Sequence, residues 1–459
     1  MAMMSYRSIV LMLCALTAGQ KNAGDERPAC GPVRLVKDIS PGATSPPGEL
    51  VAVGQQLFFV ANDGSSGSEP WRSDGTAAGT LRLADIFPHP DGPAPLEFTP
   101  LGETLFFTAF IDGRGYTLWK SDGTPSGTTL VESADPTHPI IKADLLTPVP
   151  AAGLLFFRAG GPRSSAVLWR TDGTPAGTFS LDETDFEGLP PPPSRMLAVG
   201  NTLFFIGGFQ STLWRSDGTP AGTFRLSEED SVRKVSSVVA VNETVFFARW
   251  NQLWKSDGTP QGTVLVKEIL DTPEGQYIEE LTAGDGQVFF TIEDRQTGRE
   301  LWHSDGTAAG TSLVADLQPG PAGSVPLHLT AMGSTLFFSA EASGLGREPW
   351  RSNGTLEGTT LVADLLPGPA SSAPIEFTEV EGRLFFNADD ASGGRELWFT
   401  DGTAQEPRRA GDLFPGLTGS FPAGMTRLRD ELFFIASDGT TGRELRALSL
   451  ASCISRSTP

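Results

Sequence analysis

Positive charge is scarce in this chain. Its 34 Lys and Arg stand against 55 Asp and Glu, a formal net charge of -21. Such a surface repels a phosphate backbone and excludes nucleic acid as a natural partner. Histidine is scarce too. The four present, His89, His138, His303 and His328, share no common spacing. His303 follows a Trp where sister segments carry Arg or Lys, so it reads as a surface residue. HExxH, GxSxG, phosphate-loop and zinc-spaced cysteine patterns are all missing. Enzyme chemistry therefore has no motif to stand on, and 55 carboxylates single out no catalytic pair. Past the first 19 residues no apolar run is long enough to cross a bilayer. The run Ser8 to Ala18 behind Arg7 is itself too short. With the small residues Thr17, Ala18 and Gly19 it reads as a signal peptide over residues 1–19. Cysteines number three, and Cys14 falls in that leader, which leaves Cys30 and Cys453.

What the chain has in quantity is turn punctuation and phenylalanine: 53 Gly, 36 Pro and 29 Phe. They recur with a period near 48 residues, which marks a repeat architecture. An apolar triplet such as Leu57-Phe58-Phe59 or Leu336-Phe337-Phe338 appears nine times. A Trp leading into Ser/Thr-Asp/Asn-Gly-Thr follows it eight times. These pairs are Trp71 with Asp74, Trp119 with Asp122, Trp169 with Asp172, Trp214 with Asp217, Trp254 with Asp257, Trp302 with Asp305, Trp350 with Asn353, and Trp398 with Asp401. In the ninth copy Arg446 stands where the Trp belongs. Each module reads as four short strands; the seventh predicts Leu327–Ala331, Ser334–Ala340, Arg347–Ser352 and Thr359–Leu365. Adjacent Phe side chains point to opposite faces of a strand, so each sheet must be covered on both faces. The Trp-to-Gly-Thr segment reads as the turn from strand three to strand four. There Asp74 would bond the backbone two residues on, Gly75 would take positive φ, and the hydroxyls of Thr76 and Thr80 would satisfy turn amides. Its role is structural, locking the hairpin of each module.

The two ends complement each other. The ninth module lacks a fourth strand, while Arg34 to Ile39 resembles the fourth strand Ser312 to Leu317. The expected fold is therefore an all-β propeller of nine four-stranded blades, closed by the N-terminal strand completing the last blade. Eight blades with one module packed outside, or two smaller rings, are the alternatives, and end-to-end closure argues against the second. Alignment places Cys30 and Cys453 at consecutive positions of the same turn, so a Cys30–Cys453 disulfide is expected to replace the missing connection. The domain plan is a leader over 1–19, a lead with Cys30 over 20–32, one propeller over 33–453 and a tail over 454–459.

The strings Glu300-Leu301-Trp302-His303-Ser304-Asp305-Gly306-Thr307 and Glu396-Leu397-Trp398-Phe399-Thr400-Asp401-Gly402-Thr403 resemble the bacterial ELWxxDGT repeat proteins, with partial matches over residues 33 to 449. Pro70 and Pro349 replace the Leu in two copies. The resemblance implies a secreted, periplasmic or surface protein and brings no catalytic residues. On the face expected to hold ligands lie acidic loops, among them Asn62-Asp63-Gly64, Asp112-Gly113, Asp389-Asp390 and Asp438-Gly439. Connectors carrying Asp38, Asp85, Asp316, Asp364 and Asp412 share that face. These residues could take Ca²⁺, although no segment has the ligand density of a calcium loop; the expectation is no cofactor. Connectors of modules two to five depart from the Asp-Ile/Leu-x-Pro-Gly form, as in Glu132 to His138 and Leu189 to Pro193. A partner is expected to engage that arc. The function expected is non-enzymatic binding or surface interaction by a monomer with an extracellular protein or polysaccharide. The alternatives are a carbohydrate-active hydrolase or lyase and a multivalent lectin.

Overall fold

The computed structural model describes residues 30–39, 46–87, 89, 92–160, 166–181, 192–207, 211–227, 234–269, 277–390, 394–403, 406–411, 413–416 and 418–453. The expected leader with Cys14, the tail over 454–459, Asp412 and residues 189–191 of the proline-rich connector lie outside them.

Nine four-stranded antiparallel sheets stand in a ring. The first strand of each blade lies against the first strands of both neighbours. Ala423–Leu428 of blade nine meets Gly48–Val53 of blade one, so the ring is closed. Blade nine takes its outer strand from Arg34–Lys37, which pairs with Arg443–Ser449. Cys30 and Cys453 form a disulfide beside it, and both are buried.

The Phe pairs build the core. In every junction the first Phe of one blade shares a buried cluster with the second Phe of the next. Phe58 meets Phe107, Phe106 meets Phe157, and Phe433 of blade nine meets Phe59 of blade one. Burial of each such ring stabilises by about 1.5–3 kcal/mol, so the same contact that joins neighbours also seals the ring. Six of the Trp rings stack on the second Phe of their own blade, as Trp169 does on Phe157 at 6.0 Å.

Two local expectations change. The seventh blade's outer strand is Thr360–Leu361, not seven residues long. The ladder pairs Trp350 with Leu361 and Arg351 with Thr360, and beyond it the Val362 N–H reaches the Pro349 carbonyl at 2.9 Å. His303 is not a free surface residue. It is half-buried, with Nδ1 3.0 Å from Gln287 Oε1 and Nε2 3.2 Å from Ser312 Oγ, and burial lowers its pKa.

Candidate functional site

The eight Trp-led turns fold as expected. Asp74 Oδ1 accepts the Thr76 N–H at 2.8 Å and its hydroxyl at 2.7 Å, and Gly75 has φ of 93°. The same pair of bonds recurs at Asp122, Asp172, Asp217, Asp257, Asp305, Asn353 and Asp401. Thr76 Oγ1 accepts the Gly79 amide, but Thr80 instead donates to the Thr76 carbonyl at 2.6 Å. The residue after the Trp then hooks the next blade: Lys120 donates to the Gly173 carbonyl at 2.7 Å, and Arg215 to that of Gly258 at 3.0 Å. These turns spend their polar groups on the frame.

Chain direction puts the turns of strands one–two and three–four on one face, and the strand two–three loops and the connectors on the other. On the connector face the acidic loops are largely committed as well. Asp63 caps the Ser65 amide, Asp389 pairs with Arg395 at 2.7 Å, and Asp438 pairs with Arg446 at 3.0 Å. Among the described residues no three His, Cys, Asp or Glu side chains gather as a metal-holding group.

Five buried glutamates were given no role in the sequence, each two residues before the Trp position: Glu69, Glu300, Glu348, Glu396 and Glu444. They staple the connectors. Glu300 accepts the Ser324 amide at 2.7 Å and the amides of Leu317 and Gln318, each at 3.4 Å. Glu348 binds Leu365 and Ser372, and Glu396 binds Leu413 and Ser420, in the same way. Glu69 holds Ile86 and Phe87, and Glu444 holds Ile39. Burial pushes the Glu69 and Glu300 carboxyls up to about 7 and raises that of Glu348. The signal was legible as Glu before Leu/Pro-Trp, with Ser 24 residues later in three copies.

Blades two to five have no such staple. Thr117, Val167, Thr212 and Gln252 fill its place, all buried. A second set of ties joins the inner strands of some neighbouring blades. At a bulge near the start of most inner strands a residue sits at positive φ, for instance Glu97 at 58° and Glu376 at 55°. Its carboxylate crosses to the next blade. Glu49 accepts the Phe98 amide at 3.4 Å, Glu97 that of Leu146 at 2.7 Å, Glu280 that of His328 at 3.0 Å, and Glu376 that of Gly424 at 3.1 Å. In blades three, four, five, seven and nine this place is taken by Leu145, Arg195, Ser237, His328 and Gly424, and no glutamate crosses.

On the arc of blades two to five a cavity of about 480 Å³ opens on the inner strands. Its walls are Glu97, Phe98 and Thr99 of blade two, Leu145, Leu146 and Thr147 of blade three, Ser194, Arg195 and Met196 of blade four, and Val238 of blade five. The Thr99 hydroxyl donates to the Glu97 carbonyl at 2.8 Å, and that of Ser194 to the Ile206 carbonyl at 3.2 Å. Arg158, beside it, is clamped to Asp144 at 2.5–2.7 Å and to the Pro193 carbonyl at 3.1 Å; the Asp144 bond raises its pKa. A smaller pocket of about 130 Å³ lies under the irregular connector of blade two, between Arg114, Glu132, Ser133 and Pro136. In that connector Asp135 Oδ2 lies 2.7 Å from His138 Nδ1, and bonds from Thr137 and His138 hold the Asp135 carboxyl down at about 2.

No family model matches the chain, and no curated protein matches it. Among solved structures it is similar to a puromycin hydrolase (15% identity, 79% of this chain and 61% of that one, TM-score 0.37). It is similar also to a prolyl endopeptidase (10%, 85% and 54%, 0.46). A third is the β-propeller domain of the trilobed protease of Pyrococcus furiosus (11%, 80% and 99%, 0.38). The chain spans 61% and 54% of the first two. At these identities the likeness is one of fold. These three neighbours are a hydrolase and two proteases by description, and nothing among them supports the expected non-enzymatic surface-interaction propeller or its carbohydrate-active and lectin alternatives, which are not carried further. That expectation came from the absence of catalytic motifs and from the variable connectors of modules two to five; the repeated residues serve blade packing as expected, and the cavity joins inner-strand residues of four blades, which no single module displays.

Proposed function

We propose that this propeller works with a peptidase, admitting an extended peptide into its channel at blades two to five and presenting it for hydrolysis. The observation that carries this is the 480 Å³ cavity, placed on the arc where the connector staples stop. Its lining suits a peptide. Phe98, Leu146, Met196 and Val238 can take side chains, Glu97 and Arg195 can take charges, and neighbouring hydroxyls can meet backbone groups. The connectors of this arc lack the glutamate staple and differ in sequence from one another, as loops that set binding specificity do.

The test is peptide binding by fluorescence anisotropy, with a library of labelled ten-residue peptides. Met196→Trp, which fills the cavity, should weaken binding at least tenfold, and Leu329→Met in blade seven should leave it unchanged. Equal affinity in wild type and Met196→Trp would overturn the proposal.

Export belongs to the same proposal. The buried Cys30–Cys453 disulfide suits an oxidising compartment. Residues 1–19 would supply the leader, and the ELWxxDGT resemblance points the same way.

A further inference from the structure

We infer that Arg195 is an anion subsite of the channel cavity and holds a carboxylate of the bound peptide. This rests on the peptide reading above and adds to it the chemical class of the ligand group.

Position is the first ground. Arg195 stands nine residues before Phe204, as Glu97 stands before Phe106, Glu280 before Phe289 and Glu376 before Phe385. The inner ring thus places a cation where its sisters carry carboxylates. The reversal falls inside the cavity and nowhere else on the ring; the remaining places hold Leu145, Ser237, His328 and Gly424.

The second ground is that the guanidinium has no structural task. Sister glutamates reach the next blade's amide, but Arg195 has only donors and cannot accept an N–H. It is exposed and makes no hydrogen bond or ion pair among the described residues. The nearby Arg158 differs, with three of its nitrogens committed to Asp144 and Pro193. Arg195 is exposed, so its donors are free to meet an anion that enters the cavity.

The third ground selects the anion. A guanidinium fork matches a carboxylate in two parallel hydrogen bonds. Phosphate would meet the same fork, but Glu97 in the same cavity repels a dianion more than a monoanion. Met196, Leu146 and Phe98 beside the fork fit an apolar residue adjoining the carboxylate. Two sources share this chemistry, the C-terminus of a peptide and an Asp or Glu side chain.

One peptide that binds wild type is therefore made in three forms: free acid, C-terminal amide, and amide with its last residue changed to Glu. Anisotropy is measured for wild type, Arg195→Gln and Arg195→Lys. The free acid should bind wild type about tenfold more tightly than the amide, the scale of one charge-assisted hydrogen bond. Arg195→Gln should abolish that preference and Arg195→Lys should restore part of it, with melting temperature unchanged in both. Recovery of affinity by the Glu-terminated amide assigns a side-chain carboxylate, and its failure assigns the C-terminus. Equal binding of acid and amide to wild type overturns the inference while leaving the peptide reading intact. If no peptide binds, the arginine side-chain Nε–H resonances are followed during titration with N-acetyl-leucine and with N-acetyl-leucinamide. A saturable shift of Arg195 with the acid alone upholds the subsite; no shift overturns it.

Discussion

Arg446 Nε lies 2.9 Å from the Ala436 carbonyl oxygen, the place that Trp71 Nε1 takes against the Ala61 carbonyl at 3.1 Å in blade one. The ninth blade has no Trp here but makes the same bond as blade one, because a guanidinium offers an N–H in the same direction. It also gains an ion pair with Asp438 at 3.0 Å. Arg446→Leu removes both while leaving Asp438 in place, and should cost about 2–3 kcal/mol in urea unfolding. Arg446→Trp restores the N–H and should lose less. Equal losses would mean that the carbonyl bond contributes nothing.

The disulfide joins residues 423 apart, so it constrains almost the whole unfolded chain. Loop-closure entropy puts its contribution at about 4–5 kcal/mol. The Cys30→Ser/Cys453→Ser double variant should lose that much, and limited proteolysis should then cut first beside Arg34–Lys37. First cuts in another blade would show that this strand holds without its covalent tie.

Stability should fall as the pH rises through neutrality. The folded chain keeps protons on Glu69 and Glu300 up to about pH 7, whereas the unfolded chain releases them near 4.5. Their contribution is therefore full below 4.5 and lost between there and 7, by about 1.4 kcal/mol per carboxyl per pH unit at most. Turn carboxylates such as Asp74 and Asp305 run the other way. Hydrogen bonds from Thr76 and Thr307 hold them below their usual 3.8, so their contribution is present above that pH and lost in stronger acid. Melting temperature should peak near pH 5, and Glu300→Gln should flatten its decline toward pH 8. A melting temperature constant from pH 5 to 8 would contradict the staple account.

The Trp-led turns should matter to folding alone. Asp217→Ala frees the Thr219 amide and hydroxyl and should cost about 1–2 kcal/mol, the scale of a lost capping bond, with peptide affinity unchanged. Lost affinity in a variant of normal stability would place a ligand at the turns.

Much of this fold was legible because its determinants repeat. Phe58 and Phe59 sit side by side, so the sheet had to be covered on both faces, and their clusters fall in the two neighbouring junctions. Closure was legible because Arg34–Lys37 resembles a strand the last module lacks. The staples were harder. A Glu beside a Trp reads as an exposed strand residue until the connector's amides are seen to converge on it. The irregular connectors of modules two to five belong to the blades whose inner strands line the cavity. The cavity itself was not legible, since it forms from Glu97, Leu146, Arg195 and Val238, four residues of four different blades. Only the closed ring brings them together. Arg195 carried a faint signal, a basic residue at a place otherwise acidic in four copies, which becomes visible once the modules are aligned on the Phe pair.

Hydrogen exchange with and without a bound peptide tests the central claim most directly. The account predicts added protection in Leu96–Leu101, Asp144–Val149 and Pro193–Val199, with Ile375–Val380 and Ala423–Leu428 unchanged. Protection confined to blades six to nine, or to the outer strands, would contradict it.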